Sequence, residues 1–189
     1  MSTITVRNGI DVDQLLGTID AIKDDPNVAT FTFKASSVWE DGTRSHGRIG
    51  RFVHAGAEDD SRETPFELTG DEPPVLLGRN SGPNAVELLL QALGFCYAVG
   101  TAANAAARGI DITRMEYEVE GDLDVRAFLG LDGGRPGFTR IRATGKLASP
   151  NATREELEEL CQYVQDTSPV RDSLAEPVEV VTTLDVEEG

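Results

Sequence analysis

Two cysteines, two histidines and only three lysines in 189 residues leave several kinds of chemistry without material. Two thiols give no disulfide framework of the sort that staples small secreted domains, so a reducing, cytoplasmic setting is expected. His46 and His54 have no cysteine partner and no tight carboxylate cluster beside them, which leaves no zinc site; both read as surface-strand residues. No glycine-rich phosphate loop follows a strand, because "GLDGGRPG" reads as a hairpin turn. No metal and no cofactor is expected. Positive charge is equally scarce, with 17 Lys and Arg against 33 Asp and Glu and a net charge of −16. Nucleic-acid binding needs a basic surface and is excluded. The acid excess reads first as a well-solvated surface, and fits also a salt-loving host or a high-GC genome.

Long hydrophobic runs are missing too. The longest, around Leu88 to Val99, is broken by Gln91 and Gly94 and reads as too short to span a bilayer. The amino-terminal "MSTITVRNGIDVDQ" lacks the basic segment and apolar core of an export signal, so no membrane partner is expected. Apolar residues at 39% and aromatics at 6% suit one ordinary soluble domain with a real core.

What is present is patterned as an α+β chain. "DVDQLLGTIDAIKDDP" spaces Leu15, Leu16, Ile19 and Ile22 as a helix that stops before Pro26. "VATFTFKASSVWEDGTRSHGRIGRFVHAG" alternates, turns at Asp41-Gly42 and resumes, a hairpin signal. "TPFELTGDEPPVLLGRNSGPN" is a short strand and then a loop rich in Pro, Gly and Asn. "GPNAVELLLQALGFCYAVGTAANAAARG" is one long apolar helix with Gly109 as its stop. "ITRMEYEVEGDL" and "GFTRIRATGKLA" alternate as strands. "NATREELEELCQYVQD" opens on a cap at Asn151 or Thr153 and puts Leu157, Leu160, Cys161 and Val164 on one face. "TSPVRDSLAEPVEVVTTLDV" makes a break, a helical turn and a final strand. The central helix is apolar all round, which one small sheet cannot cover, so an intimate homodimer is expected.

The segments "DEPPVLLGRNSGPNAVELLLQALGFC", "RGIDITRMEYEVEGDLDVRAFLGL" and "TSPVRDSL", in that order, resemble the OsmC/Ohr family of osmotically induced and organic-hydroperoxide-resistance proteins. The similarity runs from about Phe31 to the end, which divides the chain into a helical extension at 1–30 and an OsmC-like domain at 31–189. The resemblance implies antiparallel sheets wrapped around a long buried central helix, an intertwined homodimer with a six-stranded sheet in each half, and a thiol peroxidase at the interface. It also implies an attacking Cys on that helix, a resolving Cys before a Pro-Val, and an assisting Glu and Arg.

Cys96 stands at the attacking position. By residue type alone it is a small core residue; as a nucleophile it needs a neighbouring cation or hydrogen-bond donor, because the thiolate is the reactive form. Ser168 stands where the resolving thiol is expected. A residue before Pro is pushed out of the helical region and Pro suits the first helical position, so Ser168 is predicted to cap a helix. Cys161 is the alternative resolving thiol, seven residues earlier, and equally a packing residue. The family glutamate falls on Val86. Glu87 lies one residue on and is spaced with Asn84 as a capping box. Asp71 and Glu72 could bring another carboxylate near the site or form a polar turn.

The candidate arginines are Arg44, Arg48 and Arg51. Alternation puts the first two on one face and Arg51 on the other, with Arg48 ranked slightly ahead. The expected activity is reduction of organic hydroperoxides by Cys96, with an external thiol, or Cys161, as reductant. The alternative is a non-peroxidatic protein that binds a small apolar ligand in the dimer groove. Hydrolase chemistry at Ser168 lacks a base.

Overall fold

The computed structural model describes residues 5–187. It begins with a two-residue ladder, β1 (Val6–Arg7) against β2 (Ile10–Asp11), leading into α1 (Val12–Asp24), capped by the Asp11 carboxylate on the Gln14 amide. Two small antiparallel sheets follow. One has the order β3-β6-β7 (Phe31–Thr32, Phe52–His54, Ala57–Asp59); the other has the order β4-β5-β8 (Ala35–Asp41, Arg44–Ile49, Phe66–Gly70). The turn between β4 and β5 falls at Gly42, whose φ of +57° suits glycine. Beyond the long helix α2 (Ala85–Ala107), β9 (Arg114–Asp122) pairs antiparallel with β10 (Arg140–Ala148), and α3 (Arg154–Thr167) and α4 (Pro169–Ala175) complete the order.

The core lies between α2 and α3. Leu93, Tyr97 and Ala105 on α2 meet Leu160 and Val164 on α3, with Ile110 closing the end. Thr101 and Ala105 continue the i, i+4 stripe of Leu93 and Tyr97. Gly100 lets the helices approach, since a β-carbon there would stand 3.0 Å from Val164. Each helix starts on a reciprocal capping box, Asn84 with Glu87 and Thr153 with Glu156. Asn151 does not cap; its side chain instead joins the Gly109 carbonyl and the Asp111 amide. Gly109, at φ +76°, ends α2 as expected.

The single chain bears on three expectations. First, α2 is covered on one side only, in keeping with a helix that one small sheet cannot cover; Phe95 is 65% and Val99 71% exposed. Second, α2 is continuous for 23 residues and is long and apolar enough by composition to cross a membrane. Packing against β9, α3 and α4 makes it a core helix instead. Third, residues 176–187 form no strand. Val178, Val180, Val181, Leu184 and Val186 lie exposed, because a period-two pattern makes a strand only where an edge is offered.

The start of α2 is fixed by Asp71. Its buried carboxylate accepts from the Thr43 hydroxyl (2.7 Å), the amides of Glu72 (2.9 Å), Arg79 (3.0 Å) and Ser81 (3.0 Å), and the Ser81 hydroxyl (2.8 Å). Those bonds fold residues 71–84 back toward β8 so tightly that a β-carbon at Gly82 would fall 2.0 Å from the Thr69 carbonyl oxygen. The Thr43 hydroxyl first, then the Ser81 amide and hydroxyl, hold the Asp71 carboxyl far below the ordinary range. A depressed carboxyl stabilises the fold above its unfolded value, about 3.9, and that contribution disappears as pH falls. Thermal melts of the wild type and Asp71→Asn are therefore expected to differ most at neutral pH and to converge below about pH 4. A gap independent of pH contradicts this role.

Candidate functional site

Cys96 is half-buried on α2, one position before the core residue Tyr97. Its sulfur lies 3.1 Å from the Ser168 hydroxyl, so the fold joins two positions 72 residues apart. Ser168 is in place for local reasons. It ends α3 in extended geometry (φ −75°, ψ 116°), Pro169 occupies the first position of α4, and the Ser168 hydroxyl accepts the Arg171 amide at 3.1 Å. With one lone pair of that oxygen engaged, the hydroxyl can still donate its proton to the Cys96 sulfur or accept the thiol's on its second lone pair. Cys96 thus has a hydroxyl partner within hydrogen-bond reach. Ser168 itself has no base: His46 pairs with Glu67, and His54 binds the Val28 carbonyl at 2.8 Å.

The other candidates do not gather at Cys96. Cys161 is free, half-buried, and lines a groove of about 470 Å³ with Leu147, Arg154, Leu157 and Glu158; the Gln165 amide donates to its sulfur at 3.6 Å. The two thiols form no disulfide. Glu87 accepts the Asn84 amide at 2.9 Å within the capping box, and Glu72 accepts from the Asn84 side chain at 3.1 Å. Val86 lines a groove of about 670 Å³ between α2 and β9, with Leu90, Val119, Leu123 and Phe138. Gly94 lines it as well, and two helical residues further on, about 200° around the axis, Cys96 faces away.

The hairpin arginines are engaged elsewhere. Arg44 pairs with Glu40 (2.7 Å), Arg48 with Glu67 (3.1 Å) and Arg51 with Glu58 (3.5 Å). Arg48 and Arg51 also line one shared cleft, contrary to the alternation, because β5 ends at Ile49 and Gly50 breaks the strand pattern before β6. The residue missed by sequence reasoning is Arg171, whose amide holds Ser168. Its signal was the three-residue spacing from the capping serine in "SPVR". Burial pushes the Tyr97 phenol above its ordinary range, and the positive charge of Arg171 works against that shift. Among the described residues no cluster of three or more His, Cys, Asp or Glu side chains could hold a metal ion.

A long core helix carrying a thiol, packed on antiparallel strands and met by a capping hydroxyl, defines an α+β thiol protein of a known architecture. Residues 78–183, more than half of the chain, match the family described as OsmC-like protein, and the chain belongs to that family. Among solved structures, the OsmC like protein from Mycoplasma pneumoniae is 19% identical, with a TM-score of 0.58 over 77% of this chain and 89% of that one. An organic hydroperoxide resistance protein OsmC from Legionella pneumophila is 15% identical, with a TM-score of 0.52 over 76% and 88%. An organic hydroperoxide resistance protein from Elizabethkingia anophelis is 16% identical, with a TM-score of 0.52 over 78% and 91%. At these identities the likeness is one of fold. No curated protein sequence matches the chain.

The contact between Cys96 and Ser168 makes a direct prediction. Ser168→Ala removes the hydroxyl at the sulfur and the helix cap together. It should slow alkylation of Cys96 several-fold at neutral pH, leave Cys161 unchanged, and lower stability by about 1 kcal/mol. Alkylation followed by peptide mass mapping reads the first effect and thermal melting the second. An unchanged Cys96 rate removes Ser168 from the site.

Proposed function

We propose that this protein reduces organic hydroperoxides through Cys96 and is returned to its thiol form by an external thiol. The observation that carries the reading is the 3.1 Å approach of the Ser168 hydroxyl to the Cys96 sulfur. Sequence resemblance pairs these two positions as attacking and resolving groups, and the fold brings them into contact. The thiolate attacks one oxygen of the peroxide, the O–O bond breaks, and the departing alkoxide takes a proton and leaves as the alcohol. Sulfur is oxidised by two electrons to a sulfenic acid. A hydroxyl cannot reduce that product. An external thiol condenses with it, releasing water and forming a mixed disulfide, and a second thiol exchanges to free Cys96. Cys161 turns toward Gln165 and its own groove, which favours the external reductant.

The hydroperoxide-resistance proteins of Legionella pneumophila and Elizabethkingia anophelis share this architecture and lend the reading support. The exposed side of α2 and the unpaired segment 176–187 support assembly as a homodimer, since several large apolar side chains need cover that one chain does not supply. The working site is then expected in the cytoplasm, where reducing thiols are abundant. A specific observation favours a second reading, a non-peroxidatic protein that binds a small apolar ligand. Val86 replaces a carboxylate with a methyl-bearing wall, and the groove it lines has a volume within the usual range for small-molecule sites.

Cumene hydroperoxide consumption with dithiothreitol separates the two. Turnover should vanish in Cys96→Ser and persist in Cys161→Ser, and Ser168→Cys should yield an oxidised form with a new intrachain disulfide. Consumption that ignores the Cys96 change, or no consumption at all, sinks the peroxidase reading. For the assembly, light scattering should find a dimer that dissociates when residues 177–189 are removed.

A further inference from the structure

The two small sheets are joined by three crossings of the chain, at residues 33–34, 50–51 and 60–65, and all three meet around one cleft of about 420 Å³. The cleft shares no residue with the Cys96 contact or with the groove beside Val86. Its wall carries Lys34, Arg48, Arg51 and Arg62 against the carboxylates Glu58 and Glu63. Those are four of only 17 basic residues in a chain of net charge −16, whose ordinary surface presents the opposite sign. A local excess of cations there draws anions to this place rather than to the rest of the molecule.

The wall's own carboxylates do not satisfy those cations. Glu58 stands 3.5 Å from both Lys34 and Arg51, longer than a usual ionic hydrogen bond, and all three side chains are more than half exposed. Pairs of this kind contribute little and give way readily to a better anion. Arg48 is held more closely, at 3.1 Å, by Glu67, a carboxylate that His46 also binds. Arg62 has no carboxylate partner among the described residues. Its guanidinium lies 5.1 Å from the Phe52 ring centre and 5.4 Å from that of Phe66, and one nitrogen donates to the Gly50 carbonyl at 3.1 Å. Two rings and a carbonyl therefore fix the fork in place while most of its donors stay unused, which is what a bidentate oxyanion needs.

We propose that this cleft binds the phosphate group of a small molecule, with Arg62 as the fixed fork and with Lys34 and Arg51 exchanging Glu58 for the ligand. A phosphate monoester carries nearly two negative charges at neutral pH, which matches a wall whose cations outnumber its carboxylates by two better than a single carboxylate does. The volume lies within the usual range for small-molecule sites. The plainer account is a solvated network of surface ion pairs, which would not distinguish one anion from another.

Isothermal titration of the full chain at low salt, with inorganic phosphate and glycerol phosphate as probes, separates the two accounts. Saturable binding is expected for both probes. Arg62→Gln and Arg51→Gln are each expected to weaken it at least about fivefold, the order for one unit charge near contact in water. Arg114→Gln, on β9 and outside the cleft, should leave it unchanged. Tighter binding of glycerol phosphate identifies a phosphate ester as the ligand, and equal binding identifies free phosphate; either sustains the site. Heats no larger than those of sodium chloride at matched ionic strength, or an equal loss in Arg114→Gln, overturn it. Should Arg62→Gln fail to fold for want of its ring contacts, the exposed Arg51→Gln decides alone. Cys96→Ser should bind the probes as the unsubstituted chain does, so failure of the peroxidase reading and failure of this site are read separately.

Discussion

One hydroxyl joins three helices. Ser168 ends α3, caps α4 through the Arg171 amide, and turns its hydroxyl toward the sulfur on α2. The geometry is forced from both sides. Pro169 denies Ser168 a helical conformation and removes the amide that would continue α3, while Leu160 and Val164 pin α3 to α2 two turns earlier. Capping and thiol contact are therefore one constraint, and a residue chosen for either role affects the other.

A second constraint is the one-sided burial of α2. Its stripe of Leu93, Tyr97, Thr101 and Ala105 is covered by α3, yet Phe95 and Val99 point away with nothing over them. Burying side chains of this size contributes roughly 1.5–3 kcal/mol each, a large fraction of a typical domain's net stability. The Asp71 loop sets the direction in which β8 leaves the helix, and five hydrogen bonds to one carboxylate make that direction rigid.

Local signals were legible in the sequence, and relations between distant segments were not. The hairpin at Asp41-Gly42, the Asn84–Glu87 capping box, the Thr153 cap, the Gly109 stop and the Ser168 cap all depend on residues within four of one another, and each is found. The Arg48 and Arg51 alternation failed because Gly50 interrupts the strand, an event that period counting does not register. The segment at 176–187 has a sound strand pattern and no edge beside it. Arg171 was overlooked because its importance comes from what Ser168 touches across the fold, and three-residue spacing alone announces only a cap. The family itself was readable from ordered motifs, and the match over residues 78–183 agrees.

The residues at 86 and 168 face different sides of α2. Val86 lines the groove between α2 and β9, on the far side of the helix from the sulfur, so a carboxylate at that position would not face Cys96 within one chain. Glu87, the nearest carboxylate in sequence, is held at the helix start and faces the groove on the far side of α2 from the sulfur. Ser168 stands in hydrogen-bond contact with the sulfur, and a hydroxyl, unlike a thiol, forms no disulfide with it. On the proposed reading, a site built this way needs a reductant from solution to complete the chemistry.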